Sequence, residues 1–200
     1  MANKTKGNKF PLLIYRRWAR MLRLPSLLIA VTSGVAWWFA PAQAELAEND
    51  WAFIVIGLIG ALIFCYSLLA RQAAYVQCLP SYVRIRTPFM SVALSYQRIL
   101  QVRPIEFHTQ LPMSDMKRTQ RRLLKPFLGR TVVLLELRRF PVSERRLRLG
   151  LPWHMFAREV TGFVLVVGDW MALSQQIGVF SDRWMMRRQA RQRPQFGQLR

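Results

Sequence analysis

Two charge-free apolar runs, Leu24–Ala40 and Trp51–Ala70, flank a ten-residue acidic link, and after Arg71 the chain changes to short alternations of apolar and polar residues. The second run, WAFIVIGLIGALIFCYSLLA, holds twenty residues without a charge. At about 1.5 Å rise per residue it matches a hydrocarbon layer of roughly 30 Å. The first, LPSLLIAVTSGVAWWFA, is seventeen residues long and places Pro25 in its first turn, where a missing N–H costs little. Residues 24–70 are therefore predicted to form a two-helix transmembrane hairpin. Ala30 and Gly34 in the first run, and Gly57 and Ala61 in the second, are small residues four apart that let helix backbones approach closely. They serve either packing within the hairpin or contact with a partner's membrane helix.

Beyond the hairpin the alternation predicts strands. In Tyr82-Val83-Arg84-Ile85-Arg86 two apolar residues face one way and two arginines the other, and Thr87-Pro88-Phe89 ends the strand. Val92, Leu94 and Tyr96 alternate with small polar neighbours, and Ile99–Phe107 reads as a strand stopped or bent by Pro104. Three strands in succession predict an antiparallel meander. Val133, Leu135 and Leu137 mark a further strand, and Leu147, Leu149 and Leu151 another, giving at least five. The block from about Met155 to Ile177 contains Arg158, Glu159 and Asp169, so it is too charged to cross a membrane. Val160, Phe163, Val164, Val167, Trp170, Met171 and Leu173 recur at helical steps and predict one amphipathic helix closing the domain.

Charge orients this arrangement. Seven bases and no acid lie in residues 1–23, three acids and no base in the link, and 23 bases against seven acids from Arg71 on, within a net charge of +20. Basic residues near span ends resist translocation, so both termini are expected on the cytoplasmic side. A signal-peptide reading, prompted by Ala42-Gln43-Ala44, conflicts with the length of the basic region. Phe10, Leu12, Leu13, Tyr15, Trp18, Met21 and Leu22 among the arginines suit an interfacial amphipathic segment over residues 1–23. The soluble domain is expected over 71–180 and a basic tail, disordered or helical only when bound, over 181–200.

Little chemistry accompanies the charge. No ionisable group lies inside either run, which argues against a transport pathway formed by this chain alone. Cys65 and Cys78 have no paired spacing, and His108 and His154 lack companions at ligand spacing, so no metal, cofactor or catalytic set is expected. No phosphate loop, nucleophile elbow or paired-carboxylate motif is present, and a non-enzymatic role follows. In the stretch His108–Arg130, Met113, Met116, Leu123, Leu124 and Phe127 fall at helical spacing, Ser114 is placed to cap them, and Lys117, Arg118, Arg121, Arg122 and Lys125 occupy the other positions. This basic helix either lies on a lipid surface, at roughly 1 kcal/mol per base, or presents its charges to solvent. With Arg84, Arg86, Arg146 and Arg148 on the exposed strand faces, these five residues are the candidate anion-binding surface.

The segment YVRIRTPFMSVALSYQRILQVRP, followed by RRLRLGLPW and a closing helix, resembles the bacterial pleckstrin-homology-like proteins across about residues 75–178. The resemblance implies an antiparallel β sandwich or barrel closed by a C-terminal helix, here attached to a membrane hairpin in a bacterial inner membrane. It implies binding or assembly, with anionic phospholipid and a membrane protein as expected partners. The alternative is an accessory subunit of a larger membrane complex, joined through its spans. A nucleic-acid tether lacks a recognised motif or stacking array, and self-association is left open.

Overall fold

The computed structural model describes residues 7–39, 50–110 and 118–192. The chain divides into two compact units, Ile14–Ala73 and the residues flanking it on both sides.

The first unit is a helical hairpin of α1 (Leu13–Phe39) and α2 (Asp50–Ala73), both long and apolar enough to cross a membrane. Helix α1 begins eleven residues before the predicted span, because nothing in LIYRRWARMLR interrupts a helix. Pro25 therefore stands in the helix interior, not in a first turn, and Arg16, Arg17, Arg20 and Arg23 belong to the same helix. Along its seam Ala19, Ser26 and Ser33 are buried at seven-residue intervals, as are Gly60 and Ser67 on α2. A seven-residue repeat keeps a contact line facing its partner along two helices of 3.6 residues per turn. At Gly60 a Cβ would lie 2.9 Å from the Ala30 amide nitrogen and 3.1 Å from the Ser26 carbonyl, and at Gly57 one would lie 2.8 Å from Ser33 Oγ. Ala30 and Gly57 are thus seam residues. Gly34 has open space around it and Ala61 is exposed, because a four-residue step from their partners leads off the seam.

The seam hydroxyls bond within their own helices: Ser26 Oγ donates to Leu22 O at 2.6 Å, Ser33 Oγ to Ile29 O at 2.7 Å and Ser67 Oγ to Phe64 O at 2.7 Å. No water is required to satisfy them. Large side chains point outward, with Leu58, Leu62 and Leu69 exposed by 61%, 61% and 67%. Small inside and large apolar outside is the reverse of a helix pair in water.

The second unit holds two antiparallel sheets and a C-terminal helix. One sheet runs β1 (Lys9–Pro11), β2 (Tyr75–Cys78), β3 (Tyr82–Arg86) and β4 (Ser91–Ser95) in spatial order, and the other runs β5 (Ile99–Glu106), β6 (Thr131–Leu137) and β7 (Gly162–Leu165). They do not close into the barrel the resemblance allowed; a single bridge, Leu12 to Val167, links β1 to the residues after β7. Val76, Val83, Ile85, Leu94, Val133, Leu135, Phe163 and Leu165 fill the core. Short helices α3 (Phe107–Gln110), α4 (Arg118–Leu124) and α5 (Glu144–Gly150) lie between strands, and α6 (Trp170–Gln192) packs on β2, β5 and β6, burying Leu173, Ile177 and Phe180.

Several expectations are corrected. The predicted three-strand meander breaks after β4, where a 3-10 turn at Tyr96–Arg98 sends β5 into the other sheet. Its Pro104 is tolerated because β5 is an edge strand. RRLRLG is helix α5, not a strand: Leu147 and Leu151, four apart, are buried, whereas Leu149 between them is 89% exposed. The block Met155–Ile177 is a strand and the start of a helix, since Phe163, Val164 and Leu165 are buried on both faces of β7 and hide the alternation. Gly162 sits so close to Leu135 O that no Cβ fits, and Asp169 Oδ1 accepts from Ala172 N at 2.8 Å to start α6. Helix α6 runs on to Gln192, so Arg183, Arg187, Arg188 and Arg191 of the predicted tail are helical. Lys117, Met113, Ser114, Met116, the Ala42-Gln43-Ala44 site, Arg193 and Arg200 lie outside the described residues.

Two outcomes follow from this packing. Gly60→Leu should cost about 1–3 kcal/mol by overpacking the backbone contact with Ala30, while Gly34→Leu should leave thermal unfolding in detergent unchanged. His154 is buried with Nε2 lacking a hydrogen bond, and burial lowers its pKa from 6.5 to about 4. The unfolded chain then binds the extra proton first, so stability should fall by about 3 kcal/mol as pH drops from 6.5 to 4 and level off below. His154→Leu should flatten that limb in melts taken across the same range.

Candidate functional site: a basic sheet face

Period-two alternation gives the four-stranded sheet one apolar and one polar face. Phe10, Val76, Cys78, Val83, Ile85, Val92 and Leu94 turn inward and are buried. Lys9, Tyr75, Gln77, Tyr82, Arg84 and Arg86 share the other face, aligned by register: Lys9 opposite Gln77, Gln77 opposite Arg84, and Tyr75 opposite Arg86. None of the four strands contains an acidic residue.

The geometry gathers the cations around two phenols. Lys9 Nζ stands 5.0 Å from the centre of the Tyr75 ring, and the Arg84 guanidinium lies 5.6 Å over the Tyr82 ring while its Nη2 donates to Tyr82 Oη at 2.7 Å. The Arg86 guanidinium beside the Tyr75 hydroxyl, with the charges of Lys9 and Arg84, lowers the phenol's pKa against the opposing effect of burial. Gln77 Nε2 donates to Gly7 O at 2.9 Å and pins β1, hence Lys9, in register. Lys9 and Arg86 are exposed and Arg84 is half-buried. Three cationic heads with phenol hydroxyls beside them suit an oxyanion such as phosphate or carboxylate, for which arginine supplies a planar fork and lysine a point charge.

Only two of the nine predicted residues, Arg84 and Arg86, belong to this face. Arg118, Arg121, Arg122 and Lys125 are exposed on α4 and the following turn, above buried Leu124 and Phe127, so that stretch has the predicted basic outside and apolar inside. Arg146 and Arg148 sit on helix α5, and Arg148 is paired with Glu144 Oε1 at 2.6 Å, which offsets its charge. Lys9, Tyr75 and Tyr82 escaped the sequence reading. Lys9 falls within the expected interfacial segment, although Phe10 and Leu12 alternating with Lys9 and Pro11 carry a strand signal.

Other groups offer less. An open cavity of about 470 Å³ near Trp153 is lined by Glu144 and Glu159 as well as Arg148 and Arg158, so its charge is balanced. Burial pushes the Cys78 thiol up to about 12, which makes it inert. Among the described residues no group of three or more His, Cys, Asp or Glu is placed to hold a metal ion. Comparisons with protein-family models, curated proteins and solved structures give no match. In a near-ultraviolet titration Tyr75 should ionise below the ordinary 10.0 of a tyrosine. Arg86→Met should move that early component upward, and Tyr75→Phe should remove it.

Proposed function

We propose that this protein is a non-enzymatic adaptor anchored by its hairpin in a bacterial inner membrane, with both termini and a pleckstrin-homology-like domain on the cytoplasmic side. The observation that carries the reading is the acid-free sheet face on which Lys9, Arg84 and Arg86 surround Tyr75. Anionic phospholipid is the nearest polyanion to such a face in a chain that ends its apolar helix at Ala73 and begins β2 at Tyr75. The inside-out hairpin and the distribution of bases support the anchoring and its orientation. Two antiparallel sheets with a C-terminal helix support the family resemblance, and the helix at Glu144–Gly150 and the strand supplied by residues before the hairpin depart from it. Confinement to the membrane plane raises the domain's effective concentration at a membrane partner, the basis of an adaptor role.

The accessory-subunit reading draws less support, because Gly57, Gly60 and Ala30 are already used within the hairpin. Partner helices would meet Gly34, Ala61 and large apolar side chains instead.

The test is native mass spectrometry of the full chain in mild detergent with titrated phosphatidylglycerol. Replacing Lys9, Arg84 and Arg86 together by Gln should weaken lipid binding roughly 100-fold, from about 1 kcal/mol per base. Unchanged lipid binding together with stoichiometric co-purification of other membrane subunits would move the assignment to the accessory-subunit reading.

A further inference from the structure

Each of the two sheets ends in two outer strands, and an outer strand turns half of its backbone hydrogen-bonding groups away from the ladder. Three of the four are blunted. Strand β1 is three residues long and carries Lys9 and Pro11, and β5 carries Arg103, Pro104 and Glu106. The outer side of β7 meets the loop before it, where Ala157 N donates to Gly162 O at 3.1 Å and Phe156 bridges Phe163. Strand β4, Ser91-Val92-Ala93-Leu94-Ser95, has no charge, no proline and, among the described residues, no such cover.

The hydrogen-bond phase of the β3–β4 hairpin fixes which groups of β4 turn outward. Thr87 N donates to Met90 O at 2.8 Å, so the alternate pairs Ile85 with Val92 and Val83 with Leu94 exchange ladder bonds. Ser91 and Ala93 fall in the pairs between and aim their N–H and C=O groups away from β3. Both are exposed, while Val92 and Leu94 are buried. An extended second chain can continue the ladder there, as in recognition by strand addition.

The charge beside this edge selects the chain. Directly opposite residues share a face of the sheet, which sets Arg84 beside Ala93 and Arg86 beside Ser91. An added strand would lie two spacings from β3, roughly 10 Å. Nothing larger than serine stands between on that face, so arginine and glutamate side chains reaching toward each other span the gap. Tyr82 Oη accepts from Arg84 at 2.7 Å and holds its guanidinium on this face, and neither arginine is in an ion pair among the described residues. We propose that β4 is a docking edge for an extended acidic segment of a partner protein. The segment adds as a fifth strand, bonds the backbone of Ser91 and Ala93, and sets carboxylates on alternate residues against Arg84 and Arg86. This goes beyond the lipid reading of the face, and because both ligands use the same two arginines they compete.

Hydrogen exchange of the full chain in dodecyl maltoside, without phospholipid, tests the edge independently of lipid binding. The probe is the blocked octapeptide acetyl-(Thr-Glu)4-amide, compared with its Thr-Lys counterpart and with a Thr-Glu version N-methylated throughout. The acidic probe should slow exchange at the Ser91 and Ala93 amides several-fold, and neither comparison peptide should. Arg84→Gln combined with Arg86→Gln should weaken the probe roughly 10-fold, as expected for two exposed ion pairs. Ala93→Pro removes one outward N–H and no ladder bond, and it should also weaken the probe; the N-methylated peptide asks the same question should that variant fail to fold. No slowing by the acidic probe, or equal slowing by either comparison peptide, overturns the proposal. Slow exchange at 91 and 93 before any peptide is added also overturns it, in favour of a second copy where it depends on protein concentration and of cover within the chain where it does not.

Discussion

The antiparallel pairing of β1 with β2 is the contact on which the sheet-bearing unit depends. A sheet edge demands hydrogen-bond partners, and here they come from residues before the hairpin, so that Lys9, Phe10 and Pro11 lie in register with Gln77, Val76 and Tyr75. One pairing thereby buries Phe10 in the core, brings Lys9 over the Tyr75 ring, and holds Leu12 beside Ala74. Gly7 is part of the same clasp: its N–H donates to Cys78 O at 2.8 Å and its carbonyl accepts from Gln77.

The hairpin's two helices are long and apolar enough to cross a membrane. Helix pairs in hydrocarbon, where contact brings no hydrophobic gain, are held by close packing of small residues and internal satisfaction of polar groups. Gly57 and Gly60 admit the backbone and Ser33 of the other helix, and the serines return their hydroxyls to carbonyls of their own turns. The outward leucines would be a heavy penalty in water, at about 25 cal/mol per Å² of apolar surface, and are ordinary in lipid.

Charge is present almost everywhere outside the hairpin, but its local context differs. Arg148 is balanced by Glu144, and Arg103 is held by Glu136 at 3.0 Å. Among the described residues, the strands of the four-stranded sheet carry bases and no acid, so their charge is not offset from within the sheet. Exposed pairs of the Arg148–Glu144 type contribute little to stability, so their main effect is to remove arginines from the pool available to a ligand.

Local pattern alone determined the two apolar spans, strands β3 to β6, the basic exterior of residues 118–125 and the outward Arg84 and Arg86, because each depends on periodicity within a few residues. Four features were decided elsewhere. RRLRLG alternates like a strand and folds as a helix, since what matters is that Leu147 and Leu151 reach the core together. Phe163 to Leu165 read as helix because burial on both faces erases the period of two. Gly60 stands in the seam while Gly34 has open space around it, because the line of contact follows helix pairing and not a motif. Lys9 joined the basic face because a strand partner 68 residues away, Gln77, completed it. The sequence by itself determined which segments suit lipid and which suit a sheet, from side-chain chemistry and spacing. Tertiary structure decided which of them meet, because strand pairing and helix packing couple residues that no local pattern connects.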